Sequence, residues 1–569
     1  MAEGSADRRA FFNQPHVAYF SMEIALANGI PTYSGGLGIL AGDTIRTAAD
    51  MALPLVAVTL VSRRGYFRQE LSPEGEQIEH PDPWAPEERL RKLRAMVAVP
   101  MNGRDVWVQA WLYIHESRLL GRVPVILLDT DCGSNSPEDR RLTHHLYGGD
   151  EAYRFKQEVV LGIGGMRLLQ ALGVEVFQYH MNEGHSALLA WALLRRYAYP
   201  PEDVRPGESA YDFHRVRSLC TFTTHTPVEA GQDKFPYSLV TECLGDMADL
   251  PVLRSLAGEE ALNMTRLALN LSEYVNGVAK RHAEVSAQLF PGYQVRAITN
   301  GVHPDTWASA PFHRLYDRHL VGWAVEPELL RRAAYLPDAE VRTAHREAKE
   351  ALIETVRERT GTALDPEKPI LGFARRMTAY KRPDLLFKDL DRLRAIAAQW
   401  PFQLVMAGKA HPQDEPGKRL IRRIHDHMGV LSDVLPMAFL PDYDMECALA
   451  LVSGVDIWLN TPLRPLEASG TSGMKAAFNG VPSLSVLDGW WVEGWIEGVT
   501  GWAVGDSAES ANGTDAESLY HKLSAEVLPC YYDSPERWTG IMKSTIALNA
   551  SFFNTHRMMR RYATEAYLS

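Results

Sequence analysis

The segment Glu467-Ala-Ser-Gly-Thr-Ser-Gly-Met-Lys475 joins a Gly/Ser/Thr turn to a lysine. It follows an apolar run and leads into an expected helix over 473–479, so its backbone N–H groups could receive an anion beside a primary amine. Taken alone, the segment reads more readily as a flexible loop with one solvated lysine, and context has to decide. A second segment, Arg375-Arg376-Met-Thr-Ala-Tyr380-Lys381-Arg382, places four cations after the apolar run 370–373. Such a loop suits a dianion, although a solvated basic helix start has the same composition. In Ser34-Gly35-Gly36-Leu37-Gly38 the spacing is not that of a dinucleotide fingerprint, so a tight turn and a phosphate-binding loop both remain open. Met181-Asn182-Glu183-Gly184-His185 sits between the apolar run 174–179 and a helical stretch 186–196, which aims its polar groups off a strand's carboxyl end.

The elements that must position these residues follow one pattern: a short β-branched run, a polar loop, then a helical stretch, as in β-α-β units. Strands are expected at 55–61, 123–128, 174–179 and 219–223. A charged amphipathic helix over 338–359, with Val341, Ala344, Ala348, Leu352 and Val356 on one face, precedes a second series at 370–373, 404–407, 455–459 and 483–487. The expected fold class is α/β, with two facing Rossmann-like domains and a deep cleft between them. The boundary is placed after Asn300-Gly301-Val302-His303-Pro304, giving domains 1–305 and 306–569, with the last helix free to pack back on the first. The polar stretch 507–518 reads as a surface loop.

The bulk numbers narrow the class. At 569 residues the chain exceeds one hydrophobic core. A formal charge of 59 − 71 = −12 disfavours a nucleic-acid partner. Five scattered cysteines form no Cys-x-x-Cys pair, which fits a reducing compartment. Residues 1–14 are polar and no later segment is apolar for long enough to span a bilayer, so no membrane partner and a cytoplasmic location are expected. The pairs His144-His145 and His425/His427 lack metal-ligand spacing, and no metal is expected.

Glu-Ala-Ser-Gly-Thr-x-x-Met-Lys, with Asn479-Gly480 and Leu487-Asp488-Gly489 after it, resembles the cofactor segment of the glycogen and maltodextrin phosphorylases. Further similar elements run in order from Tyr19-Phe20-Ser21-Met22-Glu23 to about Glu493, among them Thr223-Thr224-His225-Thr226, Val275-Asn276-Gly277 and Ala407-Gly408-Lys409. The resemblance implies a GT-B type architecture and retaining phosphorolysis of a malto-oligosaccharide or glycogen-type α-1,4-glucan to glucose 1-phosphate. It implies pyridoxal 5'-phosphate held on Lys475, with Arg375, Gly35, Gly36, Tyr443 and Thr471 around the cofactor. Arg376 and Lys381 would bind the substrate phosphate. Glu467, Ser469, Gly470, Asn276 and His185 would bind the glucan, and Thr471 would contact phosphate. Arg375 stands where the family usually has lysine, which keeps the charge and changes the geometry. Trp490-Trp491 could stack on sugar faces. The family commonly dimerises, so a homodimer is expected, and the long amino-terminal regulatory extension of the animal enzymes has no counterpart, so such allosteric control is expected to be absent. A nucleotide-sugar glycosyltransferase resembling glycogen synthase shares the architecture without needing Lys475, and a non-catalytic carbohydrate-binding homologue is the reading from another class.

Overall fold

The computed structural model describes residues 14–228, 231–505 and 512–568. Its apolar runs, too short for helices, form strands of two large sheets. In the first sheet His16–Ser21 is buried along its whole length. It runs parallel to Leu55–Leu60 and Val176–Asn182, with Tyr19 opposite Ala57 on one side and His180 on the other. Cys220–Thr223, Tyr274–Gly277 and Arg296–Ala297 continue the sheet beyond Val176–Asn182, and Arg122–Asp129 continues it beyond Leu55–Leu60. Side chains apolar on both faces are what a parallel sheet covered by helices requires.

The other edge departs from the expected β-α-β pattern. Arg91–Met101 and Arg104–Glu116 form a long antiparallel hairpin, turned at Asn102 and Gly103 with φ of 52° and 73°. Positive φ at two successive residues matches the twist of the flanking strands, and Asn-Gly adopts it readily.

The second sheet has the order Met437–Leu440, Gln403–Ala407, Ile370–Ala374, Ile457–Asn460, Ser483–Val486, Gly501–Val504, with all neighbours parallel. Helix Asp338–Thr360 buries Val341, Ala344, Ala348, Leu352 and Val356 and ends at Gly361, whose φ is 71°. From this helix Lys349 and His345 reach the Asp456 carboxylate at 2.9 and 3.0 Å. Burial alone would raise that carboxyl, but these partners hold it at about 2. Asp456 in turn accepts the Ile370 N–H at 2.8 Å, fixing the start of the strand that ends at Ala374, just before Arg375.

The chain's last helices return to the first sheet. Tyr562 of helix Thr555–Tyr562 places its hydroxyl 3.1 Å from Thr223 Oγ1 and 3.0 Å from Asn276 Nδ2, and the Tyr567 hydroxyl meets His180 Nδ1 at 2.6 Å. The surface loop expected over 507–518 is overturned in its second half: Asn512–Lys522 is a helix, and its Asp515 is buried against Arg382 and Arg464. The rest of that stretch, and the polar start of the chain up to Asn13, lie outside the described residues.

Candidate active site

The glycine loop opens helix Gly36–Asp50. The buried Glu23 carboxylate accepts the Ser34 N–H at 2.5 Å and the Gly35 N–H at 3.1 Å, and the Tyr147 hydroxyl donates to its other oxygen at 3.1 Å. The Gly35 amide is therefore already used by the protein, and Gly36 presents the next amide of the loop. At Gly38 a Cβ would come 2.7 Å from Glu23 Oε2, so only glycine lets the helix sit this close to the carboxylate.

A Cβ on Gly35 would stand 3.2 Å from Arg376 Nη2, which places the cationic loop of the second sheet directly against the glycine loop of the first. The four cations of that loop divide. Arg382 turns away, donating to the Thr461 and Pro462 carbonyls and pairing with Asp515, so it is structural. Arg375 Nη2 meets Glu467 Oε2 at 2.6 Å while its Nη1 donates to Asn460. Lys381 Nζ bridges both Glu467 oxygens at 2.9 and 2.8 Å. Burial pushes the Glu467 carboxyl up, but the two cations outweigh it and hold it at about 2. Among the described residues Arg376 makes no hydrogen bond or ion pair. It is exposed, with Tyr66, Glu23 and Tyr147 near it.

Lys475 projects from the short helix Ser472–Ala477. It is 7% exposed, its Nζ lies 4.0 Å from the centre of the Trp307 ring, and burial lowers its amine to about 8 against the pull of Asp43. Among the described residues its Nζ has no hydrogen bond or ion pair. Asp43 is engaged elsewhere, accepting Trp307 Nε1 at 2.8 Å and the His303 N–H at 3.2 Å. Asn479 fastens the lysine helix to this wall, donating to the Trp307 carbonyl and accepting the Ser309 N–H, each at 2.8 Å. Trp307 and Asp43 escaped the sequence reading because each lies in a different segment from the lysine.

Thr471 caps the lysine helix, and Gly470 before it has a φ of 72°. Ser469 accepts the Trp490 N–H on its carbonyl at 2.8 Å. Asp488 accepts the Glu467 N–H and the Gly489 N–H, each at 2.9 Å, so the Leu-Asp-Gly turn props the Glu467 backbone. The expected exposure of Trp490-Trp491 to sugars is overturned: they are 3% and 0% exposed, and Trp490 packs edge-on against Phe553 as core. Their bulk fills the space that Gly473 leaves open, where a Cβ would come 2.7 Å from the Trp490 ring.

His185 follows Glu183, whose φ of 74° is held by bonds from the Gly184 and His225 N–H groups and the Thr226 hydroxyl. Its Nε2 lies 3.3 Å from Asp233, which also pairs with Arg154 at 2.6 Å, and its Nδ1 is buried with no hydrogen-bond partner among the described residues. Tyr147 stands between this cluster and the glycine loop, its ring 5.7 Å from that of His185. Asp233, Arg154 and Tyr147 are functional neighbours that carry no local motif. Tyr443 is half-buried, and its hydroxyl is pushed up by burial near Tyr33 and Arg375. Asn276 is 0% exposed, and its amide accepts from Thr223 Oγ1 and donates to the Gly277 carbonyl and the Tyr562 hydroxyl.

The family described as Carbohydrate phosphorylase matches residues 242–499. The chain is 40% identical to the maltodextrin phosphorylase of Thermococcus litoralis, over 97% of this chain and 70% of that one. It is 37% identical to the glycogen phosphorylase of Mycobacterium tuberculosis (strain H37Rv), with the same coverage. It is 34% identical to that of Aquifex aeolicus, over 97% of this chain and 86% of that one. The chain belongs to the carbohydrate phosphorylase family.

Proposed function

We propose that the chain is an α-1,4-glucan phosphorylase that holds pyridoxal 5'-phosphate on Lys475 and converts a malto-oligosaccharide or glycogen-type glucan and inorganic phosphate to glucose 1-phosphate with retention. The observation that carries this reading is the pair of unpartnered cations, Arg376 and Lys475, in a site where Arg375 and Lys381 already share Glu467. A buried amine lowered to about 8 beside an aromatic ring is nucleophilic near neutrality, which suits a lysine that carries an aldehyde cofactor. The residues present therefore fit the group. Arg375, Thr471, Tyr443 and the Gly36 amide would surround it, and when bound it supplies a phosphate able to exchange a proton with the substrate phosphate.

The chain's own residues do the rest. Arg376 takes the substrate phosphate against the glycine loop. Arg375 and Lys381 lower the cost of bringing a second dianion close, a cost that grows in a low-dielectric site. Glu467, pinned from one side by two cations and from the other by Asp488, presents a fixed acceptor to a glucose hydroxyl beside Ser469 and Gly470. With Nε2 directed at Asp233, His185 offers Nδ1 as acceptor to another hydroxyl. As the glycosidic bond lengthens, the oxygens of the bound phosphate face the developing oxocarbenium charge, and the cations keep that phosphate in place. No pair of free carboxylates is needed.

We further place residues 1–305 and 306–569 in two facing α/β domains of GT-B type, with the reacting groups in the cleft between them; the approach of Arg376 to Gly35 supports this. The five cysteines are free and buried, which supports a cytoplasmic enzyme. A nucleotide-sugar transferase gains nothing from a desolvated Lys475, so that reading is the weaker one.

The test is glucose 1-phosphate release from a malto-oligosaccharide with phosphate, comparing wild type with Lys475→Ala, with cofactor absorbance read in parallel. Product and absorbance in wild type alone support the reading. A wild type that neither binds the cofactor nor forms product overturns it.

A further inference from the structure

Helix Glu151–Val159 carries Arg154 and Glu158 one turn apart, on the same side. Its Phe155 packs against Phe235, ring centres 4.8 Å apart, which brings the helix up to strand Lys234–Pro236 and the residue before it, Asp233. The Asp233 carbonyl accepts the Met264 N–H at 3.0 Å, so the backbone there is held. The Asp233 carboxylate has a nitrogen on each oxygen: Arg154 Nη2 meets Oδ1 at 2.6 Å, and His185 Nε2 lies 3.3 Å from Oδ2.

Glu158 faces the same carboxylate from within the core. It is 0% exposed, and among the described residues no N–H or O–H group reaches either of its side-chain oxygens. What lies within hydrogen-bonding reach is Asp233, another acceptor. Glu183 is near as well, but its own oxygens are taken by the Gly184 and His225 N–H groups and the Thr226 hydroxyl, and Arg154 is spent on Asp233. An ionised Glu158 would be a dry charge among carboxylates without a donor, which is too costly to persist. Burial first, and then the charge of Asp233, push its carboxyl well above the ordinary range, whereas Asp233, which burial alone would raise, is pulled below that range by His185 and Arg154. The proton of the pair therefore sits on Glu158, and a carboxylic acid has the O–H donor that its anion lacks.

We propose that Glu158 is a positioning residue: as a neutral acid it donates a hydrogen bond to Asp233 and so fixes the carboxylate that orients His185. This role rests on the reading of His185 as a glucan-binding residue. With Asp233 held by Glu158 and Arg154, His185 keeps Nε2 on the carboxylate and Nδ1 free for a sugar hydroxyl. Infrared difference spectra of the full chain at neutral pH, wild type minus Glu158→Gln, should show the carbonyl band of one protonated carboxylic acid. That readout needs neither cofactor nor turnover, so it succeeds or fails apart from the phosphorylase reading. Glu158→Met, which fills the site without a donor, should raise the KM for a malto-oligosaccharide about tenfold, the worth of one hydrogen bond to a charged group, while the KM for phosphate stays unchanged. Glu158→Gln, whose amide restores a donor, should recover most of that loss. Absence of the protonated-carboxyl band, a glucan KM in Glu158→Met equal to that of wild type, or a glutamine variant as impaired as the methionine one would each overturn the proposal. Should Glu158→Met fail to fold, the band and a near-wild-type glucan KM in Glu158→Gln support the proposal, and the lack of either overturns it.

Discussion

Replacing Glu467 by glutamine tests whether Arg375 and Lys381 are held in place by one carboxylate. Arg375 and Lys381 hold the carboxyl at about 2 where a free one stands at 4.5, which corresponds to about 3 kcal/mol of native-state stabilisation of the charged form. Because the side chain is only 5% exposed, solvent screening removes little of this. Glutamine keeps the shape and one acceptor but leaves Arg375 and Lys381 without a counter-charge, so Glu467→Gln should lose about 3 kcal/mol in urea unfolding followed by fluorescence. The sign with pH is fixed. A depressed carboxyl stabilises above its unfolded value and loses that contribution as pH falls through the folded value, so the gap between variant and wild type should close between pH 4.5 and about 2. Freed of their partner, the two cations become an anion site, and millimolar phosphate should recover more stability in the variant than in wild type. Turnover should fall steeply, since the sugar loses its fixed acceptor. A variant with an unchanged urea midpoint and an unchanged response to phosphate would refute this account.

Other perturbations address separate parts of the site. Lys381→Ala should raise the KM for phosphate while cofactor content stays intact; loss of cofactor absorbance, or unchanged kinetics, would count against its assignment. Gly35→Ala adds a methyl 3.2 Å from Arg376 Nη2 at a backbone conformation any residue adopts, so the phosphate KM should rise several-fold with no change in urea midpoint; a matching loss of stability would point to backbone strain instead. Uptake of pyridoxal phosphate by the apoprotein should accelerate with pH through a midpoint near 8, where the Lys475 amine becomes neutral, and a midpoint near the ordinary lysine value would refute its desolvation. Lys349→Ala leaves the Asp456 carboxylate buried without its main partner and should cost about 3–5 kcal/mol in the same urea assay.

Much of the second sheet was legible because parallel strands buried on both faces are uninterrupted apolar runs, and 370–373 and 404–407 differ from Ile370–Ala374 and Gln403–Ala407 by one residue. The first sheet was read less well. His16–Ser21, its central strand, contains His16, Tyr19 and Ser21, whose polar atoms weaken the apolar signal although all six residues are buried. The Asn102-Gly103 turn carried a hairpin signal that went unread because Arg91–Met101 is mostly half-buried or exposed and lacks a clean alternation.

The site divides along the same physical line. Residues that share one loop, such as those of 467–475, keep their types and spacing together in the chain and can be recognised there. Residues that tune them do so through space. Trp307 and Asp43 surround Lys475 from segments 168 and 432 positions away, and Asp233 reaches His185 from 48 positions downstream. No periodicity records such pairings, because each partner is also an ordinary member of its own segment: Trp307 ends a helical turn and Asp43 lies inside a helix. The Trp490-Trp491 error has the same origin. Aromatic type speaks equally for a sugar platform and for core, and only the open space left by Gly473, with Phe553 arriving from the far end of the chain, sends Trp490 inward. Arg376 and Arg382 make the point in reverse: the same residue type six positions apart takes opposite roles, because a φ of 45° at Arg382 turns the chain toward Asp515 while Arg376 is left facing the glycine loop.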